Sequence, residues 1–180
     1  MRPEAPAARL LVERLGARLD SVLATWSEVT ESDVVAEITM VLTKNGVTDW
    51  IAAGQVPIAW LPPGGLSPDQ FLAMAMKPGE VRLGCVEVAP LAVAETGSLL
   101  THGIREKRML AMLCDLHVLI VHSSNVVPDL DAAAAAIQVM EPTAPYISFV
   151  TGASRTSDIE RTLTIGVHGP SRLHVVVVGG

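Results

Sequence analysis

Polar and apolar residues alternate with two different periods along this chain, one typical of helices and one typical of extended strands. Over residues 7–26 the apolar side chains recur every three or four positions, which predicts an amphipathic helix that packs on another part of the fold. Capping residues at 30–33 predict a second helix, which ends near Lys44 because Asn45 and Gly46 tolerate the left-handed backbone of a C-terminal cap. The two helices occupy residues 7–45.

Further along, short apolar runs bounded by glycine and proline predict strands. They lie at 49–53, 56–61, 81–88, 99–101, 116–122, 146–150 and 173–178. The residues at 67–69 form a helix start, and those at 128–129 open a helix that runs through several alanines. This alternation predicts an α/β fold with a mostly parallel central sheet flanked by helices.

The last run, 173–178, is almost wholly apolar, as is typical of a strand buried on both faces. We also expect the strands that end at Val88, Val121 and Val150 to lie in one sheet. The loops that follow such strands are where α/β proteins usually bind their ligands.

The length of 180 residues favours a single domain over 1–180, with a Pro- and Ala-rich start that is frayed over 1–6. Mean hydropathy is high, at +0.41, yet no apolar run approaches the ~20 residues that span a bilayer. The first apolar run is interrupted by Glu13 and Arg14, so no secretory signal is expected. We therefore expect a cytoplasmic protein without membrane insertion.

The charge balance argues against a nucleic-acid partner, because the net charge is −6 and no basic patch stands out. The cationic cluster at 105–108 is expected to be a solvated surface rather than an anion site.

The cysteines and histidines lack the spacing of a metal site. Cys85 and Cys114 are far apart and belong to no C-x-x-C pair, which excludes the common zinc and iron–sulfur patterns. We expect two buried, inert thiols and no cofactor held by this chain. His102, His117 and His122 show no metal spacing either.

The first candidate site is the loop at 152–158, which follows a predicted strand. Gly152 lets backbone N–H groups converge on an anion, and Ser154, Arg155 and Thr156 add donors. The alternative is a turn held by hydroxyl side chains, with Asp158 as a helix cap.

The second candidate is the segment at 95–98. Glu95 could act as a base or as a nucleophile, with Thr96, Gly97 and Ser98 binding the ligand. The alternative is a carboxylate at a strand end that accepts backbone N–H bonds. We expect the loops carrying Glu95 and Ser154 to lie close together and form one site.

The third candidate is His168, in a turn at 166–170. A histidine suits acid–base chemistry near neutral pH, and Gly169 lets a substrate approach closely. The alternative is a turn histidine bonded to backbone. His174, within the last strand, is expected to be a packing residue whose ring has its hydrogen-bond partners.

These segments also carry a family resemblance. The pattern G-x-S-x-T-x-D-I-E at 152–160, followed by G-V-H-G-P at 166–170 and a terminal strand, resembles the C-terminal signature of the LUD-domain family. The A-E-T-G sequence at 94–97 resembles a second segment of that family. The likeness covers residues 81–178, and the most similar member type is lactate utilization protein C.

The resemblance implies a fold like that of ribose-phosphate isomerase, glucosamine-phosphate isomerase and the CoA-transferases. It implies a component of a system that oxidises L-lactate to pyruvate beside iron–sulfur partner proteins, with a small anionic metabolite as ligand. The chain would be a catalytic or substrate-binding subunit, or a non-catalytic assembly subunit. The alternative is a stand-alone enzyme or binding protein for a phosphorylated or CoA-linked metabolite.

The cysteine spacing generates a prediction about cofactors. We expect the purified chain to be colourless and free of bound iron, because two separated cysteines cannot supply the thiolates that an iron–sulfur cluster needs. Elemental analysis and an absorption spectrum of the chain, expressed without partners, measure this. Stoichiometric iron would contradict it.

Overall fold

The structure is a computed structural model that describes residues 5–76, 82–140, 146–157, 163–165 and 169–179. In these ranges the helices are α1 (Ala5–Ser21), α2 (Val34–Lys44), α3 (Pro68–Ala75), α4 (Arg105–Leu113) and α5 (Leu130–Val139). The strands are β1 (Thr25–Thr30), β2 (Asp49–Ala53), β3 (Leu83–Val88), β4 (Leu91–Val93), β5 (Ser98–Gly103), β6 (Leu116–His122), β7 (Val126–Val127), β8 (Tyr146–Val150), β9 (Arg155–Ser157), β10 (Leu163–Ile165) and β11 (Arg172–Gly179).

A parallel five-stranded sheet forms the centre, in the order β1-β11-β6-β3-β2. This confirms the predicted α/β fold with a mostly parallel central sheet flanked by helices. Strand β11 lies between β1 and β6, and its residues from Leu173 to Val178 are buried. A strand in this position has both faces in the interior, which explains its nearly continuous apolar sequence.

Layers of apolar side chains cover both faces of the central sheet. On one face α2 packs its Val34 and Ile38 against residues such as Ile120 and Val176. On the other face α1 contributes Leu15 and Leu19, which pack with Leu119, Val121 and Val175. Helices α3 and α4 extend this second layer over β2 and β3. No helix within the described ranges combines the length and the apolar composition needed to cross a bilayer.

A second, smaller sheet has the order β7-β4-β5-β8. The prediction that the strands ending at Val88, Val121 and Val150 share one sheet is therefore wrong for the last of them. Strand β8 pairs antiparallel with β5, and its Ile147 and Phe149 are exposed. A strand with one solvated face belongs in an antiparallel sheet rather than in a parallel sheet covered on both sides.

Two other predicted elements differ from the structure. The helix predicted over 7–26 ends at Ser21, and the chain reverses at Leu23, whose φ is +61°. Strand β1 then follows and brings the Trp26 indole against Gly16 of the same helix, so the apolar periodicity continues although the helix does not. The strand predicted over 56–61 is a short 3₁₀ turn, Ile58–Trp60, which follows Pro57.

His174 packs in the central sheet as predicted. Its Nδ1 lies 2.8 Å from the Thr25 hydroxyl, and its Nε2 lies 3.1 Å from the Ser27 hydroxyl. Burial lowers the pKa of His174, although the nearby Glu37 carboxylate, 3.6 Å from Nε2, acts in the opposite direction. The folded protein therefore favours the neutral ring.

His174 predicts a loss of stability in mild acid. The unfolded chain takes up a proton near the ordinary histidine pKa of about 6.5, whereas the folded chain resists protonation at this position. Its contribution to stability is therefore fully present above that pKa and is lost as the pH falls from it through the lower pKa of the folded protein. One proton limits the slope to roughly 1.4 kcal/mol per pH unit.

We expect His174→Gln to flatten the decline in the free energy of unfolding between pH 7.5 and pH 5, measured by urea titration. The matched control is His122→Gln, which removes one exposed histidine, and the flattening is measured as the difference between the two variants. Equal slopes in the wild type and His174→Gln would contradict the assignment.

Candidate functional site

A cavity of about 300 Å³ opens where the two sheets meet α4. Its lining comes from β3 and β6 of the central sheet, from β5 and β8 of the second sheet, from α4, and from the segments at 152–154 and 169–170. The cavity thus collects side chains from distant parts of the sequence, including part of the predicted ligand loop.

A buried acid–base pair lines the cavity on the side of the central sheet. His117 Nε2 lies 3.2 Å from Glu87 Oε2, and the two side chains are only 3% and 8% exposed, respectively. Parallel pairing places Cys85 opposite His117 and Glu87 opposite Leu119, so the pair is diagonal on one face of the sheet. Each of these two side chains needs the other as its partner, because an unpaired buried charge is strongly unfavourable.

Arg108 and Tyr146 lie on the cavity wall formed by α4 and β8. The Arg108 guanidinium lies 5.6 Å from the centre of the Tyr146 ring, within the range of a cation–π contact. The Tyr146 hydroxyl donates to the Ile104 carbonyl at 2.6 Å. Burial raises the pKa of Tyr146, and the Glu87 charge adds to the rise, so the phenol stays protonated at neutral pH.

In the cationic cluster at 105–108, Arg105, Glu106 and Arg108 are exposed and Lys107 is partly buried. Arg108 lines the cavity, and nothing in the sequence distinguishes it from its neighbours. Of the described residues in the lining, Arg108 alone carries a permanent positive charge.

The start of the predicted ligand loop belongs to the cavity wall. Gly152 is buried with a φ of +74°, and both Gly152 and Ser154 line the cavity. The Ser154 N–H donates to the Pro170 carbonyl at 2.9 Å. Gly169 also lines the cavity, and a Cβ added there would lie only 3.1 Å from the Ser154 Cβ. Here the missing side chain of Gly169 makes room for Ser154.

The rest of that loop differs from the prediction. The backbone of Arg155, Thr156 and Ser157 forms β9, which pairs antiparallel with β10. Asp158 and His168 lie outside the described residues. The ligand roles of Arg155, Thr156 and Asp158 and the catalytic role of His168 therefore stay predictions.

The turn at 95–98 contacts the residue that precedes the loop at 152–158. Ser98 Oγ lies 2.7 Å from Thr151 Oγ1, and the Thr96 hydroxyl donates to Ser98 Oγ at 2.8 Å. That Glu95 and Ser154 share one site stays a prediction.

The Glu95 carboxylate, however, lies 3.9 Å from Arg14 of α1, where both side chains are half exposed, and Glu95 is absent from the cavity lining. Gly97 has a φ of +71° and lies against the backbone of α1. The turn therefore holds α1 in place. The catalytic role of Glu95 and the ligand roles of Thr96, Gly97 and Ser98 stay predictions.

Glu87 and His117 were absent from the predicted site, although the sequence contained a signal for them. Each is an ionisable residue inside an apolar run that was itself predicted to be a strand. A strand buried on both faces rarely holds such a residue without a partner. Among the described residues no group of three or more His, Cys, Asp or Glu could hold a metal ion.

Comparison with known proteins identifies relatives of the chain. A family model described as the LUD domain matches residues 27–178. The chain is 35% identical over 105 residues to lactate utilization protein C of Deinococcus radiodurans, covering 55% of this chain and 46% of the relative. It is also 35% identical over 98 residues to lactate utilization protein C of Geobacillus thermodenitrificans, covering 52% and 41%. The matches span less than half the length of these curated relatives.

One solved structure has a similar architecture. A DUF162 family protein from Deinococcus radiodurans aligns with a TM-score of 0.67 at 20% identity, covering 98% of this chain and 100% of the other. At this level of identity the likeness shows a common fold.

The environment of the cysteines generates a prediction about reactivity. Cys85 and Cys114 are both buried. A hydrogen bond with Cys114, together with burial, raises the pKa of Cys85 well above its ordinary value, which suppresses the reactive thiolate.

We expect both thiols to react slowly with a thiol reagent at pH 7.5 in the native protein and fully after unfolding. Ala17→Cys, at an exposed position of α1, is the fast-reacting control; a native thiol that matches its rate would contradict the assignment.

Proposed function

The chain belongs to the LUD-domain family, and on this premise we propose that it serves in lactate utilization, as a cytoplasmic component of a system that oxidises L-lactate to pyruvate. The relatives named lactate utilization protein C support the pathway. The proposal further assigns to this chain the binding of the small anionic metabolite.

The observation that carries the proposal is the composition of the cavity. It combines one permanent cation, Arg108, with the hydroxyl groups of Thr101, Ser148 and Ser154 and with the buried Glu87–His117 pair. Lactate and pyruvate each have one carboxylate and one further oxygen on the adjacent carbon. A guanidinium is well suited to a carboxylate, because it can donate two parallel hydrogen bonds.

The size and charge of the cavity also favour this class of ligand over the alternatives. A volume of about 300 Å³ lies at the small end of ligand pockets. A phosphorylated metabolite carries nearly two negative charges on its phosphate at neutral pH, whereas Arg108, the one permanent cation in the described part of the lining, matches the single charge of a monocarboxylate. A CoA-linked metabolite is a much larger ligand.

The oxidation itself requires an electron acceptor, which we assign to iron–sulfur partner proteins. Cys85 and Cys114 are separated in sequence and both are buried. An iron–sulfur cluster needs several thiolates converging on one place. In this proposal the chain contributes the substrate site and its partners contribute the redox centres.

We expect Arg108→Gln to weaken the binding of L-lactate or pyruvate to the purified chain roughly 10- to 100-fold, because a charge-assisted hydrogen bond contributes about 1.5–3 kcal/mol. Isothermal calorimetry measures the affinity. Arg105→Gln is the matched control, since Arg105 is exposed on the same helix and is absent from the cavity lining. Equal losses in both variants, or tighter binding of a phosphorylated or CoA-linked acid, would contradict the proposed ligand.

Growth on lactate tests the pathway. A strain that lacks this protein and any parallel lactate dehydrogenase should grow poorly on lactate and recover with the wild-type gene.

His168→Ala in the same assay tests the base predicted from sequence, with a loss of roughly 10²–10⁴-fold in turnover expected for a general base. Normal growth of the deletion strain would refute the pathway. A required protein whose Arg108 and His168 variants behave as wild type would instead be a non-catalytic assembly subunit.

A further inference from the structure

The Glu87–His117 pair lies on a face of the central sheet where its neighbours within the sheet are apolar or a buried thiol. Its neighbours on the same face of the sheet include the buried residues Cys85, Leu119 and Leu173. Two apolar side chains of similar volume would satisfy packing there without the desolvation that a carboxylate and an imidazole suffer. Packing alone therefore gives no reason for an ionisable pair at this position.

His174 provides an internal comparison, because it is also a buried histidine beside a carboxylate in the same sheet. Both of its ring nitrogens lie within hydrogen-bond distance of hydroxyl groups, those of Thr25 and Ser27. It contacts Glu37 of α2 and is absent from the cavity lining. His117 differs in that it lines the cavity and its Nε2 faces a buried carboxylate.

We propose that Glu87 and His117 form a proton-transfer pair for a small 2-hydroxy or 2-oxo acid bound in the cavity. His117 is the catalytic residue, and Glu87 is the positioning residue that acts through it. The choice of acid rests on the proposed function, whereas the pair itself rests on the contact, its burial and its place in the cavity lining.

The contact determines which ring atom can exchange a proton with the ligand. When His117 donates its Nε2–H to Glu87, the neutral imidazole carries its lone pair on Nδ1. In the proposed oxidation the O–H bond of the 2-hydroxyl group breaks and its proton bonds to Nδ1. The C2–H bond also breaks: its two electrons pass to the iron–sulfur partners of the proposed function, its proton goes to solvent, and the C=O bond of the 2-oxo acid forms. The Glu87 carboxylate stabilises the imidazolium, which in the reverse direction returns its proton to the oxygen as the 2-oxo acid takes up two electrons and a proton at C2.

An anionic ligand beside the pair favours the protonated ring. Binding of the acid should therefore be accompanied by proton uptake from solvent. Among the described residues, the other titratable or charged groups near the pair are Cys85 on β3, His102 on β5, Arg108 and Cys114 at α4, and Tyr146 on β8. The pKa values of Cys85 and Tyr146 are raised, which keeps both groups neutral. The control variant must therefore replace His102.

The test is calorimetric titration of the purified chain with pyruvate and with L-lactate, in buffers of different ionisation enthalpy at constant pH. We expect net proton uptake in the wild type, in His102→Asn and in His174→Asn. Uptake should fall to near zero in His117→Asn. It should fall in Glu87→Gln and recover in part in Glu87→Asp. In the complete lactate-oxidising system, His117→Asn should lower turnover by roughly 10²–10⁴-fold.

A measurement on the wild type covers the case in which a variant fails to fold. The ¹⁵N resonances of the His117 ring should move towards those of a protonated imidazole when pyruvate is added. Unchanged resonances in the bound state, or proton uptake that survives in folded His117→Asn, would overturn the pair while leaving the proposed function standing. Absence of any binding to the wild type would instead overturn the proposed ligand, and with it the substrate class assigned to the pair.

Discussion

The parallel pairing of β11 with β1 on one side and β6 on the other is the constraint on which the rest of the structure depends. It puts β6 and β11 in the interior, with α2 on one face and with α1 and the second sheet on the other. Interior strands accept apolar side chains readily and polar ones only with partners. Every ionisable residue buried in this sheet must therefore have a specific contact.

Besides the Cys85 thiol, which has a hydrogen bond with Cys114, three ionisable side chains are buried in the described part of the central sheet, and each has such a contact. His174 meets two hydroxyl groups and Glu37 on the α2 side. Glu87 and His117 meet each other on the opposite side. The same rule thus produces two different outcomes, a histidine fixed within the packing and a pair beside a cavity. The surroundings of each residue, rather than its type, separate a structural role from a chemical one.

The second sheet explains why a cavity exists next to the pair. Strand β8 lies outside the central sheet and pairs with β5, and its Tyr146 anchors the start of α4 through the Ile104 carbonyl. Arg108 is thereby held at the cavity while its side chain remains exposed to solvent. The arrangement divides the proposed chemistry in two: recognition of an anion by a solvated cation, and proton transfer by groups shielded from water.

The sequence by itself determined the features that depend on neighbouring residues. The capping box at Ser67, the Asp129 cap and the apolar run of β11 each act within a few positions, so the starts of α3 and α5 and the last strand were predictable. The family signatures at 94–97, 152–160 and 166–170 are local as well.

Only the tertiary structure decided which distant segments meet. Strand β1 could not be predicted from the sequence, because Trp26 packs back against Gly16 and continues the helical periodicity across a chain reversal. Val150 belongs to another sheet because β8 finds its partner in β5. Glu87 and His117 are thirty residues apart, and the order of strands in the sheet sets them 3.2 Å from each other. Local patterns fix local backbone conformation, whereas pairing across the sheet depends on the burial of all its strands together.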